Sequence, residues 1–106
     1  MRIIARRTLT SFAASLSARR DYTAVKDALD VWYDRASKAQ WKNAADVRKT
    51  FATASIVNAE RIVFNIKGND YRLIVAIDFE KAIIWIKWIG SHKDYDHIDA
   101  AKVEYG

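Results

Sequence analysis

Ten residues near the middle of the chain, FNIKGNDYRL at 64–73, constrain the fold more than any other stretch. Gly68-Asn69 has the composition of a two-residue hairpin loop, because a glycine in the first loop position supplies the positive φ that a type II′ turn demands. β-Rich runs flank it, Arg61 to Lys67 and Asp70 to Phe79. Closing the hairpin there sets Lys67 against Asp70, Ile66 against Tyr71 and Asn65 against Arg72. Successive strand residues point to opposite sides. One face therefore collects Ile62, Phe64, Ile66, Tyr71, Leu73, Val75 and Ile77, which is a core face. The other collects Val63, Asn65, Lys67, Asp70, Arg72, Ile74 and Ala76, and its end near the turn is polar and mostly cationic. A slip of one residue would exchange the faces, and the uniform first set argues against it.

A third strand, Ala82 to Ile89, follows after Asp78 to Lys81, a connection of the length used for four-residue hairpin loops. This register predicts Ala82, Ile84, Ile86 and Trp88 on the core face, Trp85 on the polar face, and Lys87 directly opposite Arg72. Three strands would then deliver Lys67, Arg72 and Lys87 to one patch, with Asn65 among them. The chain leaves the strand through Gly90-Ser91-His92-Lys93-Asp94-Tyr95, so a histidine and a tyrosine emerge beside the patch.

The preceding half reads as the layer that covers the core face. Met1 to Ala5 has the character of a short first strand. Leu9, Phe12, Ala13 and Leu16 recur at helical spacing after Thr8. Val25, Ala28, Leu29, Trp32 and Ala36 fall at i, i+3, i+4, i+7 and i+11, giving one apolar stripe, with Asp21 or Thr23 able to cap its start. A short third helix is predicted over Ala44 to Phe51, with Asn43 as cap, Asp46 three residues on, and Val47 and Phe51 inward. Thr53 to Glu60 reads as loop. The order is strand, two or three helices, then a three-stranded meander. That is an α+β layout with helices on one face of a small antiparallel sheet, in one domain over 1–106.

Charge adds a partner class. The chain carries a formal net charge of +5, and its distribution is uneven. Arg2, Arg6, Arg7, Arg19 and Arg20 lie in the first twenty residues without an acid, while the remainder balances. An anionic partner, nucleic acid first, is one reading; a soluble protein with a basic end is the other, equally weighted. The arginine-rich start also mimics a transit peptide, and Arg6-Arg7 a twin-arginine signal, but no uninterrupted apolar stretch follows and the helical spacing explains the segment better. The absence of cysteine excludes disulfide scaffolds and thiolate metal sites and is compatible with a reducing cytosol. No apolar run approaches the length of a membrane span. The end of the chain after His92 is acidic, and it either lies along the basic N-terminal region or is solvated.

The segments MRII at the start, Leu29 and Trp32-Tyr33, Trp41, FNIKGNDYRL and WIGSHKDYDHI at 88–98 together resemble the HigB-type mRNA interferase toxins of bacterial type II toxin–antitoxin systems, within the RelE/ParE-like superfamily. The similarity runs over nearly the whole length, which argues against a cleavable N-terminus. The resemblance implies a RelE-like fold whose open sheet face binds and cuts mRNA in the cytoplasm during translation, with the ribosome as a further partner. It also implies a helix-turn-helix antitoxin of HigA type as partner, with operator DNA engaged only through that antitoxin, and no cofactor. Carried over by position, Lys67, Arg72 and Lys87 take the catalytic strand places, and His92 and Tyr95 the places after the last strand. Asn65, Asn69, Trp85, Lys93 and Lys49 are the candidate RNA contacts.

Cutting RNA by attack of a ribose 2′-hydroxyl on its own neighbouring phosphate needs a base, an acid for the departing 5′-oxygen, and cations around the phosphorane. His92 suits the proton transfer, and Arg72 suits bidentate contact with phosphate. Neighbouring cations are expected to lower the pKa of a lysine, Lys67 or Lys87, enough for it to act as base. Tyr95 would stack on a base or donate a proton. His92, Asp96 and His97 are the one conceivable metal set, without a supporting pattern around them. The plain alternatives are a solvated histidine and lysines that merely face water. At the level of function, the rivals are a ParE-like toxin that acts by binding a protein, and a non-catalytic RNA-binding module on the same fold.

Overall fold

Alternation in the hairpin becomes a five-stranded sheet in the computed structural model, which describes residues 1–104. The elements are β1 (Arg2–Ile4), α1 (Arg6–Ser15), α2 (Tyr22–Lys38), α3 (Ala44–Thr50), β2 (Ser55–Ile56), β3 (Arg61–Ile66), β4 (Tyr71–Asp78), β5 (Ile83–Ser91) and α4 (His92–Tyr95). The strand order is β1-β5-β4-β3-β2. The expected α+β layout holds, with two additions. β1 runs parallel to β5, so the sheet is mixed. Ser55 and Ile56, within the stretch expected to be loop, pair with Val63 and Ile62 and form the outer edge.

The core lies between the helices and the predicted face of the hairpin. Val25, Leu29, Trp32 and Ala36 are the buried residues of α2, and Ile62, Phe64, Ile66, Tyr71, Leu73, Val75 and Ile77 are all buried opposite them. Trp32 meets Phe64 edge-on with ring centroids 5.4 Å apart, and Phe51 does the same from beyond α3 at 5.2 Å. Fully burying a side chain such as Phe64 or Leu73 contributes about 1.5–3 kcal/mol, so this face anchors the sheet. Asn43 caps α3 as predicted, its side chain accepting from the Asp46 N–H at 3.0 Å. Asp21 stands at the N-cap position of α2 but makes no cap hydrogen bond. Its carboxylate instead accepts from the Tyr71 hydroxyl at 2.7 Å, tying α2 to β4.

The β3–β4 register is the predicted one, with Ile66 opposite Tyr71 and Asn65 opposite Arg72. Gly68 supplies the positive φ, 63°, and Lys67 also enters the left-handed region at 53°. The β4–β5 register differs. The loop is Phe79 to Ala82, so Ile77 pairs with Ile84, and Ala82 is an exposed turn residue with φ 58° rather than a core residue. That shift of two preserves the faces, and Ile84 and Ile86 are buried. A β-bulge then intervenes: Val75 pairs with Ile86 but Ile74 with Trp88, leaving Lys87 as the extra residue. Beyond the bulge the alternation is reversed. Ile89 takes the core position expected of Trp88, Trp88 turns to the open face, and Arg72 lies opposite Gly90 instead of Lys87.

Candidate functional site on the open sheet face

Arg72 is the centre of the open face near the hairpin turn. Its Nη1 donates to the Asn69 carbonyl at 2.7 Å and its Nη2 to Asn69 Oδ1 at 2.7 Å. One turn residue thus grips the outer end of the guanidinium. A weaker bond from Nη1 reaches the Tyr71 carbonyl at 3.4 Å. A guanidinium has five N–H donors, so Nε–H and the second Nη2–H, which point to the same side, have no partner among the described residues. Among the described residues Arg72 has no carboxylate partner, and its charge is unneutralised.

Aromatic rings flank that charge. Arg72 Cζ lies 5.7 Å from the centroid of the Tyr95 ring, within cation–π range. Trp88 lies 6.3 Å from Tyr95, tilted by 47°. Gly90 makes room for the indole: a Cβ there would sit 2.5 Å from Trp88 Cη2 and 2.6 Å from Cζ2. α4 is pinned at its start, because Ser91 Oγ accepts from the Asp94 N–H at 3.1 Å and the His92 N–H donates to the Asp70 carbonyl at 2.8 Å. The backbone of His92 is therefore held against Asp70 of the hairpin turn. Its imidazole is exposed and makes no hydrogen bond among the described residues. Lys93 is exposed beside it.

The other expected members are placed differently. Lys67 donates to Asp70 Oδ2 at 2.9 Å. That hydrogen bond raises its pKa, with the charges of Asp70 and then Asp21 adding to the effect. The expectation of a lysine with lowered pKa is thus reversed at Lys67. Asp70 holds the ammonium protonated, which makes it a cation and a poor base, and Lys67 lines a groove with Asp27, Ala28 and Val31 of α2. Lys87 is bonded to Glu104 Oε2 at 2.7 Å rather than standing beside Arg72. Trp85 pairs with Ala76 toward the other end of the face. Lys49 belongs to the helical layer, where it lines a groove with Asp34 and Lys38 and lies 3.7 Å from Asp46. Asn65, half-buried opposite Arg72, keeps its predicted place.

Two site residues were not expected from the sequence. Trp88 was assigned to the core; the signal against that was the spacing of three between Ile86 and Ile89, which breaks a period of two. Arg61 is the buried charged residue of the open face, 8% exposed. Its Nη1 donates to the Val103 carbonyl at 2.6 Å and to Ala100 at 3.4 Å, and its Nη2 to Glu104 Oε1 at 2.7 Å. Glu104 thus spans β4, with one oxygen on Arg61 of β3 and the other on Lys87 of β5. The Lys87 hydrogen bond, reinforced by both positive charges, holds its carboxyl below the usual range. Of the acidic stretch after His92, Glu104 therefore lies on the open sheet face rather than along the basic N-terminal region, while Asp94, Asp96 and Asp99 are exposed. Among the described residues no three His, Asp or Glu side chains converge as a metal-ligand group, and no helix is long and apolar enough to cross a membrane.

A small α+β domain with helices on one side of its sheet and a cationic, aromatic patch on the other has the build of the RelE-like toxins. Comparison with family models specifies which branch: the HigB toxin model, described as the RelE-like toxic component of a toxin-antitoxin system, matches residues 25–98, well over half of the chain. The chain belongs to the HigB toxin family, and membership in such a system implies an antitoxin partner. No curated protein matches the sequence.

Proposed function

We propose that this toxin is an endoribonuclease that cuts mRNA in association with translation, without a metal, and that a HigA-like helix-turn-helix antitoxin neutralises it. The observation that carries the reading is Arg72, whose guanidinium is aimed by Asn69, meets no carboxylate among the described residues, and stands between Tyr95 and the turn against which His92 is held.

In this mechanism the side-on pair of Arg72 N–H groups binds two oxygens of the scissile phosphate and follows the charge that builds on the phosphorane. Asn69 fixes the guanidinium in advance, so little reorganisation accompanies the reaction. Trp88 and Tyr95 receive the bases on either side of the cut. His92 takes the proton of the 2′-hydroxyl as that oxygen bonds to phosphorus, since Lys67 is held protonated by Asp70 and Lys87 is engaged by Glu104, and solvent gives a proton to the 5′-oxygen as its bond to phosphorus breaks. Lys93, exposed beside His92, adds positive potential around the phosphate.

Incubating the protein with RNA and translating ribosomes, then mapping new 5′ ends, tests the reading. Cleavage by the wild type that persists in excess chelator and is lost in Arg72→Ala is expected. Absence of any new end with folded protein would refute it, and a growth arrest without RNA cleavage would transfer the toxin to a protein target. Toxicity on expression should be relieved by co-expressing a small helix-turn-helix protein encoded beside it.

A further inference from the structure

We propose that Arg61 and Lys87 form a second phosphate-binding site for the backbone of the same RNA strand, and that Glu104 is a displaceable placeholder in it. This rests on the ribonuclease reading above and extends it to a residue, Arg61, and a segment, 99–104, that the reading does not use.

The geometry is that of an occupied anion site. Two cations from strands on either side of β4 converge on a single carboxylate, one oxygen each, both at 2.7 Å. Two non-bridging oxygens of a phosphodiester present the same pair of acceptors. Arg61 is preorganised for the exchange. Its Nη1 is committed to the Val103 and Ala100 carbonyls, so the guanidinium stays aimed while Nη2 changes partner. Glu104 is suited to leave. Its side chain is 63% exposed, whereas those of Arg61 and Lys87 are 9% and 22% exposed. An incoming anion can therefore replace the carboxylate while the Ala100 and Val103 carbonyls stay on Arg61.

The site lies along the path from Arg72. Arg61 pairs with Ala76, four residues from Arg72 on β4, or about 13 Å at about 3.3 Å per residue. Lys87, in the bulge beside Ile74, stands between them. Arg72, Lys87 and Arg61 thus form a cationic track, with Trp88 beside it, that matches a single strand carrying one charge per nucleotide. With Glu104 in place, the far half of the track carries one net positive charge instead of two.

The test uses a 2′-O-methyl oligonucleotide, which lacks the attacking hydroxyl and cannot be cut by this chemistry. Glu104→Gln should bind it about two- to fivefold more tightly than wild type at low salt, the range of one exposed ion pair. The salt dependence should steepen by up to about 0.7 for one further phosphate. Lys87→Gln in the Glu104→Gln background should abolish the gain. Asp27→Asn, the same change of net charge on the helical layer, should produce none of it. Equal affinity of Glu104→Gln and wild type, or a gain that survives Lys87→Gln or appears in Asp27→Asn, would overturn the proposal while wild-type cleavage dependent on Arg72 left the ribonuclease reading intact. If neither protein binds the oligonucleotide and the wild type cuts no RNA, the ribonuclease reading falls and this proposal falls with it.

Discussion

Gly90→Ala adds one methyl group at the most crowded point of the site, and its consequences follow from two distances. The new Cβ would lie 2.5 Å from Trp88 Cη2 and 2.6 Å from Cζ2, against an ordinary carbon–carbon contact of about 3.5–4.0 Å. The indole must withdraw by about 1 Å. Trp88 is half-exposed, so it can withdraw toward solvent, and the folding cost should sit near the lower end of the about 1–3 kcal/mol typical of overpacking. The functional cost should be larger. If Trp88 receives a base, stacking of that kind is worth about 1–3 kcal/mol, which sets the loss of oligonucleotide affinity at about 5- to 150-fold. Fluorescence anisotropy with the uncleavable oligonucleotide measures this, beside a thermal melt and single-turnover cleavage. Trp88→Ala should weaken binding comparably, and the double variant should be no worse than Trp88→Ala alone, because both act through one ring. Wild-type affinity and cleavage in Gly90→Ala, or full additivity in the double variant, would refute the platform and the reasoning from crowding.

His92→Gln should lower single-turnover cleavage by about 10²–10⁴-fold with oligonucleotide binding little changed; an undiminished rate would remove His92 from the chemistry. Asn69→Ala, which removes the Oδ1 bond to Arg72 Nη2 and keeps the backbone carbonyl bond to Nη1, should reduce cleavage while leaving the melting temperature nearly unaltered, and activity at the wild-type level would show that the guanidinium needs no side-chain aiming. Trp32→Ala should cost about 3–5 kcal/mol of stability by calorimetry or chemical denaturation, whereas Lys67→Ala should leave the melting temperature nearly unchanged; equal effects would contradict the assignment of faces. The Tyr71 hydroxyl lowers the pKa of Asp21 in the folded state, so this contact stabilises the protein above the carboxylate's unfolded pKa, and its contribution is lost as pH falls through the lowered folded value. Tyr71→Phe should flatten that part of the acid limb of a stability–pH curve, and an unchanged limb would show the bond to be energetically silent.

The sequence by itself determined the hairpin, the helices that cover it and the class of fold. Gly68-Asn69 fixed the β3–β4 register, since only that closure gathers Ile62, Phe64, Ile66, Tyr71, Leu73, Val75 and Ile77 on one side, and the stripe on α2 required an apolar surface of that shape. Arg72 and Asn65 followed directly, because strand alternation propagates from a known turn. What lay beyond β4 was decided by tertiary structure. In β5 the run of apolar residues from Ile83 to Ile86, resumed at Trp88 and Ile89, satisfies more than one phase, and the bulge at Lys87 puts Ile89 rather than Trp88 into the core. The same choice carried Lys87 away from Arg72 and Trp88 toward Tyr95. Lys67 was redirected by Asp70 through a bond three residues long that the alternation rule does not contain. The bridge from Glu104 to Arg61 and Lys87 joins residues 43 and 17 positions apart. Local periodicity encodes which side of an element faces inward, but a charge finds its partner through space, and the spatial neighbours of these cations exist only once the sheet has formed.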